Sequence, residues 1–292
     1  MSGGVDRTDP VASRANAWHQ STLETLLDGC SWQYYLQYVA QVTAGEKDST
    51  AAGVAVHAAL ELHEGARVAG VPCPTVDTMV EYGIEQLGDM RSDELDGKVK
   101  AAVRHWCLTP LKDGGPSHRD WLARFEPVAV EPYFNVPLVE GARPLGGWID
   151  GVYRDTDGDG RLFLIDHKTA GTFSRWAHDG EGHRRQAAFY STALVASPDW
   201  DVDYLPEMTY LVVRTSESKS RQFEGARRVT VQPDLIDVEE LGRRVREAEQ
   251  RVAEGEFYRT PEWILCDGFH CRRGHGPDCG CRAGHRPRTI DA

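Results

Sequence analysis

No stretch of this chain stays apolar for anything near the roughly 20 residues a membrane-spanning helix needs. The polar segment from Met1 to Arg14 also has no apolar core of the kind a secretion signal carries. A cytoplasmic protein without membrane association is therefore expected. Surplus positive charge is missing too, since 45 Asp and Glu face 33 Lys and Arg, a formal net charge of −12. That balance works against non-specific nucleic-acid binding, whose affinity comes from cations displacing counterions. Any such contact must be local. It could use Arg184-Arg185, Arg227-Arg228, Arg243-Arg244 and Arg272-Arg273, or metal cations recruited by acidic side chains. Cysteine is scarce: seven in 292 residues cannot build a disulfide scaffold, and a reducing compartment is expected. Cys266, Cys271, Cys279 and Cys281 nevertheless crowd towards the end, a distribution that points to metal binding. Cys73 and Cys107 read as small core hydrophobes.

What is present suits one large domain, or one domain with a substantial appendage, because 40% hydrophobic residues can fill a core. Residues 1–15 read as a flexible lead-in. Residues 16–125 then read as helical, with segments over Asn16 to Val42, Ala51 to Val68, Thr75 to Leu87 and Asp93 to Leu108. The first carries an aromatic run, Trp32, Tyr34, Tyr35 and Tyr38. Over 126–260 the pattern turns to short β-type runs: Val128 to Val136, Leu145 to Arg154, Leu162 to His167, Met208 to Thr215 and Arg228 to Val231. Helical spacing returns over Arg184 to Val195 and over Leu235 to Glu254. The latter has an apolar seam of Leu235, Val238, Leu241, Val245 and Val252. Residues 261–292 form a Cys-rich tail without such periodicity.

The chemistry concentrates on Gly147 to Asp150, then Leu164 to Thr169, then Gln186 to Tyr190. Residues two apart on a strand share a face, so Asp166 and Lys168 point together and His167 points away. Pairing Asp150 opposite Asp166 closes the loop evenly between Asp155 and Arg161 and puts both carboxylates on that face, whereas a one-residue slip would separate them. Two hard oxygen ligands suit Mg²⁺ or Mn²⁺. A metal and a lysine together can hydrolyse a phosphodiester, the metal activating water and offsetting charge and Lys168 orienting or deprotonating the nucleophile. Taken alone, an Asp-x-Lys is more often a charge pair on the wet side of a hairpin. Glu131 is a further candidate acidic group or a strand-edge residue facing water. Asp155 to Gly160 matches the opening of a calcium loop, but strand-like runs flank it, and a hairpin turn is expected instead.

With Gly53 to His57 ahead of these motifs and the cysteine tail behind, the chain resembles the RecB-type branch of the PD-(D/E)xK nucleases. That branch includes the CRISPR-associated adaptation exonucleases and the AddB-type recombination nucleases. The resemblance runs from about Ser21 to Cys281 and rests on the order and spacing of the motifs together. It implies an α/β restriction-endonuclease-like core over 126–260, a central mixed sheet flanked by helices, with a helical N-terminal segment and a metal-binding tail. It makes His57, Asp150 and Asp166 metal ligands and Lys168 the catalytic lysine. Gln186 and Tyr190, four apart on one helical face, would position DNA and the lysine. The implied activity is exonucleolytic hydrolysis of single-stranded DNA or frayed ends in recombination, repair or spacer acquisition, with a helicase or integrase partner. Iron–sulfur members hold a [4Fe-4S] cluster with one N-terminal and three C-terminal cysteines. Here these are Cys30, Cys266, Cys271 and one of Cys279 or Cys281. Ser31 stands where that family has proline, and the tail spacing is wider than its usual pattern. A zinc site built from the tail alone, drawing on Cys266, Cys271, Cys279, Cys281, His270, His275 or His285, is the alternative. A non-catalytic DNA-binding or assembly subunit and a zinc-stabilised interaction protein are the rival functional readings.

Overall fold

The computed structural model describes residues 16–40, 48–176, 183–217 and 224–257. The lead-in, the Cys-rich tail and Arg272-Arg273 lie outside the described residues. Seven strands form: β1 (Glu126–Val130), β2 (Tyr133–Val136), β3 (Leu145–Trp148), β4 (Gly151–Arg154), β5 (Leu162–Ala170), β6 (Met208–Arg214) and β7 (Ala226–Val231). Five build a sheet in the order β1-β4-β5-β6-β7, and β2 pairs with β3 beside it. The sheet is mixed. β5 and β6 run parallel, joined through helix α7 (Arg184–Ala196), and the other neighbours are antiparallel.

Helices cover both faces, so the central strands read as continuous apolar runs rather than alternating ones. Along β5, Leu162 and Leu164 belong to one core and Phe163 and Ile165 to the other. The first core is closed by α1 (Gln20–Leu27), α2 (Ser31–Tyr34), α7 and α8 (Leu235–Ala253). The second is closed by α3 (Asp48–Val68), α4 (Val76–Glu85), α5 (Asp93–Leu108) and the short α6 (His118–Leu122). Capping marks the starts of α5 and α8. The Ser92 hydroxyl accepts from Leu95 N at 3.3 Å, and Asp234 accepts from Ile236 N at 2.9 Å while Asp237 accepts from Asp234 N at 2.8 Å.

Several expectations are corrected. The helix expected over Asn16 to Val42 is broken. Residues near Trp18 instead add to the β2–β3 ribbon, with Trp18 N donating to Pro144 O at 2.7 Å, and Cys30 is extended between α1 and α2. Trp18 is fully buried there and donates to Glu249 at 2.8 Å beneath the Arg143 guanidinium. The runs Val128 to Val136 and Leu145 to Arg154 each split into two strands, at Glu131-Pro132 and at Ile149-Asp150. Leu235 is 73% exposed at the first turn of α8, so the buried seam starts later, at Leu241, Val245 and Ala248. Cys73 is exposed rather than in the core, because it follows the end of α3, whereas Cys107 is buried with its thiol 3.8 Å from the Met79 sulfur. Helix α6 was not expected from periodicity, which needs more than its five residues to register.

Candidate active site

The β4–β5 hairpin has the expected register. Gly151 pairs with Ile165 and Arg154 with Leu162, and the turn closes with Asp155 N donating to Arg161 O at 3.0 Å. The Asp155 side chain accepts from Gly158 N at 3.0 Å within that turn, so the calcium-like string is a hairpin turn. The same parity carries Asp166 and Lys168 to the face covered by α7, and the two form an ion pair. His167 points the opposite way, buried against Trp106 of α5 with ring centroids 5.9 Å apart.

Asp150 sits at the bend between β3 and β4. Its Oδ2 accepts from His167 N at 2.7 Å and lies 3.5 Å from His57 Nδ1, which reaches it from α3. The break between β1 and β2 brings in Glu131. Its backbone has φ of 49°, the sole positive value for a non-glycine among the described residues, and its N–H donates to Asp150 O at 3.2 Å. Such a backbone costs on the order of 1 kcal/mol and persists where the surroundings impose it. His57, Glu131 and Asp150 thereby present ligand atoms all within 4.8 Å of one another. Two carboxylates and an imidazole at that spacing fit a divalent cation with hard-oxygen preference. Asp166 lies in the same site with its oxygens engaged, Oδ1 accepting from Gln186 Nε2 at 3.0 Å and Oδ2 facing Lys168 Nζ. Gln186 also bonds to Tyr190, whose ring stands edge-on to Phe134 at 5.8 Å. Gln186 and Tyr190 are thus both drawn to the Asp166 side of the hairpin, on the face of α7 that looks at the sheet.

Charge in the site is uneven. Burial pushes Asp150 up, but His57, Lys168 and His167 together outweigh it and hold the carboxyl below its ordinary value. At Asp166 burial prevails over Lys168, helped by the negative charge of Asp150, and raises the carboxyl to about 6. Burial opposes charge on Lys168, yet Asp166 and Asp150 more than offset it and raise its pKa. The charge of the two carboxylates thus favours the ammonium form of Lys168 in the metal-free site. Burial lowers His167 to about 4 and, with the two carboxylates nearby, pushes Tyr190 well above its ordinary value.

Two features were not legible in sequence. Glu64, two turns beyond His57 on α3, is buried with His63 Nδ1 at 2.6 Å, Arg67 at 2.9 Å and the Tyr153 hydroxyl of β4. Arg67 continues to the carbonyls of Leu122 and Phe125 at 3.0 and 2.7 Å, fixing α3 to the sheet and to the end of α6. The spacing of His57 and Glu64, seven apart on one helix face, was the available signal. The second feature concerns the described arginine pairs expected as local cation sites, each of which has an acidic or aromatic partner, Arg185 and Arg243 while still more than half exposed. Arg184 holds Asp237 at 2.6 Å, Arg185 and Arg244 hold Asp28 at 3.0 and 2.9 Å, and Arg227 and Arg243 hold Glu224 and Glu240, each at 2.7 Å. Arg228 lies over the Trp121 ring at 4.3 Å.

A mixed sheet covered on both faces, with Asp150 and the Asp-x-Lys of β5 at one hairpin and His57 reaching them from α3, is the arrangement of a nuclease core. The chain belongs to the PD-(D/E)XK nuclease superfamily, whose family model matches residues 17–275. Members of that superfamily use divalent metals. Among solved structures, a presumed exonuclease from Eubacterium rectale aligns over 100% of this chain and 97% of its own, at 10% identity and a TM-score of 0.53, a likeness of fold. SSO0001 aligns over 79% of this chain and 84% of its own, at 10% identity and a TM-score of 0.31, too low to bear on the fold. No curated protein matches. No helix among the described residues is long and apolar enough to cross a membrane.

Proposed function

We propose that this chain is a Mg²⁺- or Mn²⁺-dependent DNA exonuclease of the RecB-type branch, acting on single-stranded DNA or frayed ends in recombination, repair or spacer acquisition, alongside a helicase or integrase. The observation that carries the reading is the gathering of His57, Glu131 and Asp150 next to the Asp166–Lys168 pair. A divalent cation held there would activate water and offset charge on the phosphorus. The protein's own groups do the rest. The low carboxyl of Asp150 stays ionised as a ligand, oriented by the His167 N–H. Lys168, facing Asp166, would orient or deprotonate the nucleophile against the phosphate. Gln186 fixes the Asp166 carboxyl, and so the lysine that faces it.

The test is cleavage of end-labelled single-stranded DNA with Mg²⁺ or Mn²⁺ by the parent and by Lys168→Ala. The variant should fold and lose several orders of magnitude in the chemical step. Activity within about threefold of the parent would sink the assignment and favour a non-catalytic DNA-binding or assembly subunit.

The cofactor reading extends to a [4Fe-4S] cluster on Cys30, Cys266, Cys271 and one of Cys279 or Cys281. Two facts support it. Cys30 is buried at the start of α2, and Phe257, the last described residue, packs on Tyr34 and Tyr35 at 6.1 and 5.2 Å. The last described residue before the C-terminal cysteines thus lies beside the helix that Cys30 begins. Anaerobically purified protein should carry iron and sulfide and lose both in Cys30→Ala. Stoichiometric zinc retained by that variant would assign the tail to a zinc site.

A further inference from the structure

A pocket of about 660 Å³ opens where the edge strand β7 meets the loop after α5, and Leu111, Lys112, Arg227, Arg228 and Val229 are among the residues that line it. Arg228 pairs with Leu211 of β6, and Leu211 with His167 of β5. Residues paired in this way share a face, so Arg228 lies two strands from β5 and on the side of the sheet opposite Lys168. Most charge around the pocket is neutralised internally. Glu224 holds the Arg227 guanidinium with both oxygens, at 2.8 and 2.7 Å, and Asp113 Oδ1 accepts from Gly115 N at 3.0 Å. Arg228 is the exception. Its guanidinium lies over the Trp121 ring at 4.3 Å, no described residue accepts a hydrogen bond from it, and its Nη1 is buried without a partner. Lys112, exposed on the same pocket, likewise has no ion-pair or hydrogen-bond partner among the described residues. With a net charge of −12 the molecule has acceptors in excess, so two cations without one in the same pocket call for a ligand. Burial disfavours the charged form of Arg228, Asp113 offsets only part of this, and Arg124 adds to it, so its pKa falls. A bound anion would reverse that.

We propose that Arg228 and Lys112 bind a phosphate group in this pocket, at a second site apart from the active site. A guanidinium seated over an indole ring can still donate in its own plane, where its fork suits two oxygens of one oxyanion. The Lys112 ammonium adds a second charge. A phosphate monoester carries about −1.5 to −2 at pH 7, whereas a carboxylate carries one charge, so two unpaired cations match the phosphate. Free phosphate and a monoester of nucleotide size both supply that chemistry. The cavity has the volume of a small-ligand site, and Leu111 and Val229 give it an apolar wall for the body of a monoester. The site uses none of the residues assigned to hydrolysis and stands independently of the nuclease reading.

The test is calorimetric titration of the full chain with inorganic phosphate and with deoxyadenosine 5′-monophosphate, in buffer free of divalent ions and against sodium chloride of equal ionic strength. The parent should bind saturably. Arg228→Gln should weaken binding on the order of tenfold or more, the value of a hydrogen bond to a charged group. Arg228→Lys, which keeps the charge and loses the fork, should fall between the two. Lys168→Ala should bind as the parent does. Should Arg228→Gln fail to fold, Lys112→Glu carries the test, since it reverses a charge at an exposed position and should also weaken binding at least tenfold. Tighter binding of the nucleotide upholds the site and assigns it to a monoester, and equal binding of inorganic phosphate upholds it and assigns it to the free ion. No saturable binding of either probe overturns the proposal, as does affinity unchanged in Arg228→Gln and Lys112→Glu. Binding lost in Lys168→Ala overturns it as well, because the phosphate would then belong to the active site.

Discussion

Glu131 shows what one residue's backbone contributes. Its φ of 49° is a conformation that costs a non-glycine on the order of 1 kcal/mol, and the fold imposes it between β1 and β2, where Glu131 N bonds to Asp150 O. Strain kept at a cluster of ligand atoms is expected where position matters more than stability. Glu131→Gly should relieve the strain and raise the unfolding free energy slightly, by up to about 1 kcal/mol, seen as a higher urea midpoint. It should also remove a carboxylate from the cluster, so the thermal stabilisation produced by added Mn²⁺ should shrink. A variant that is both less stable and undiminished in its response to Mn²⁺ would remove Glu131 from the ligand group.

Helix α3 is the element that joins stability to the site. Its His57 reaches Asp150, and two turns on Glu64 is held by His63, Arg67 and Tyr153. Burial works against the ionised Glu64 carboxyl, yet His63, Arg67 and the Tyr153 hydroxyl outweigh it and lower its pKa. Removing one member of such a network leaves the others buried and uncompensated, at about 3–5 kcal/mol. Glu64→Ala should therefore lower the thermal midpoint by roughly 10 °C and, by loosening α3 on β4, weaken divalent-ion binding through His57. Glu64→Gln, which preserves shape and some hydrogen bonds, should cost less. Calorimetry of the two variants checks this, and a loss under about 1 kcal/mol in Glu64→Ala would show that α3 is held by apolar packing alone.

At the scale of the whole molecule, buried His118 sets an acid limit. Its Nε2 donates to Val212 O at 3.2 Å, its Nδ1 has no partner among the described residues, and burial lowers its pKa to about 3. Below pH 6.5 the unfolded chain takes up a proton here that the folded chain refuses until about pH 3. Stability contributed by the neutral ring is thus full above 6.5 and lost as pH falls, by on the order of 1.4 kcal/mol per unit. His118→Leu should be less stable than the parent at pH 7.5 by about 1 kcal/mol for the lost hydrogen bond. It should nonetheless lose less between pH 6.5 and 4.5. Parallel stability curves for the two proteins across that range would exclude His118 as the source of the acid sensitivity.

Sequence by itself determined the local geometry around the hairpin. The period-two rule put Asp166 with Lys168 and His167 behind them, and the even closure between Asp155 and Arg161 set the register, because strand parity depends on nothing beyond the strand itself. The span of α5 and the extent of α8 were legible for the same reason, as periodicity is a property of neighbouring residues. Tertiary structure alone decided the rest. A strand break at Glu131 is stabilised by Asp150 nineteen residues on, Trp18 leaves its expected helix for Glu249 near the far end of α8, and Arg185 and Arg184 pair with Asp28 and Asp237, far from them in the chain. Most of these partners are distant in the chain, and no local pattern records which side chains burial will bring within a few ångströms of one another.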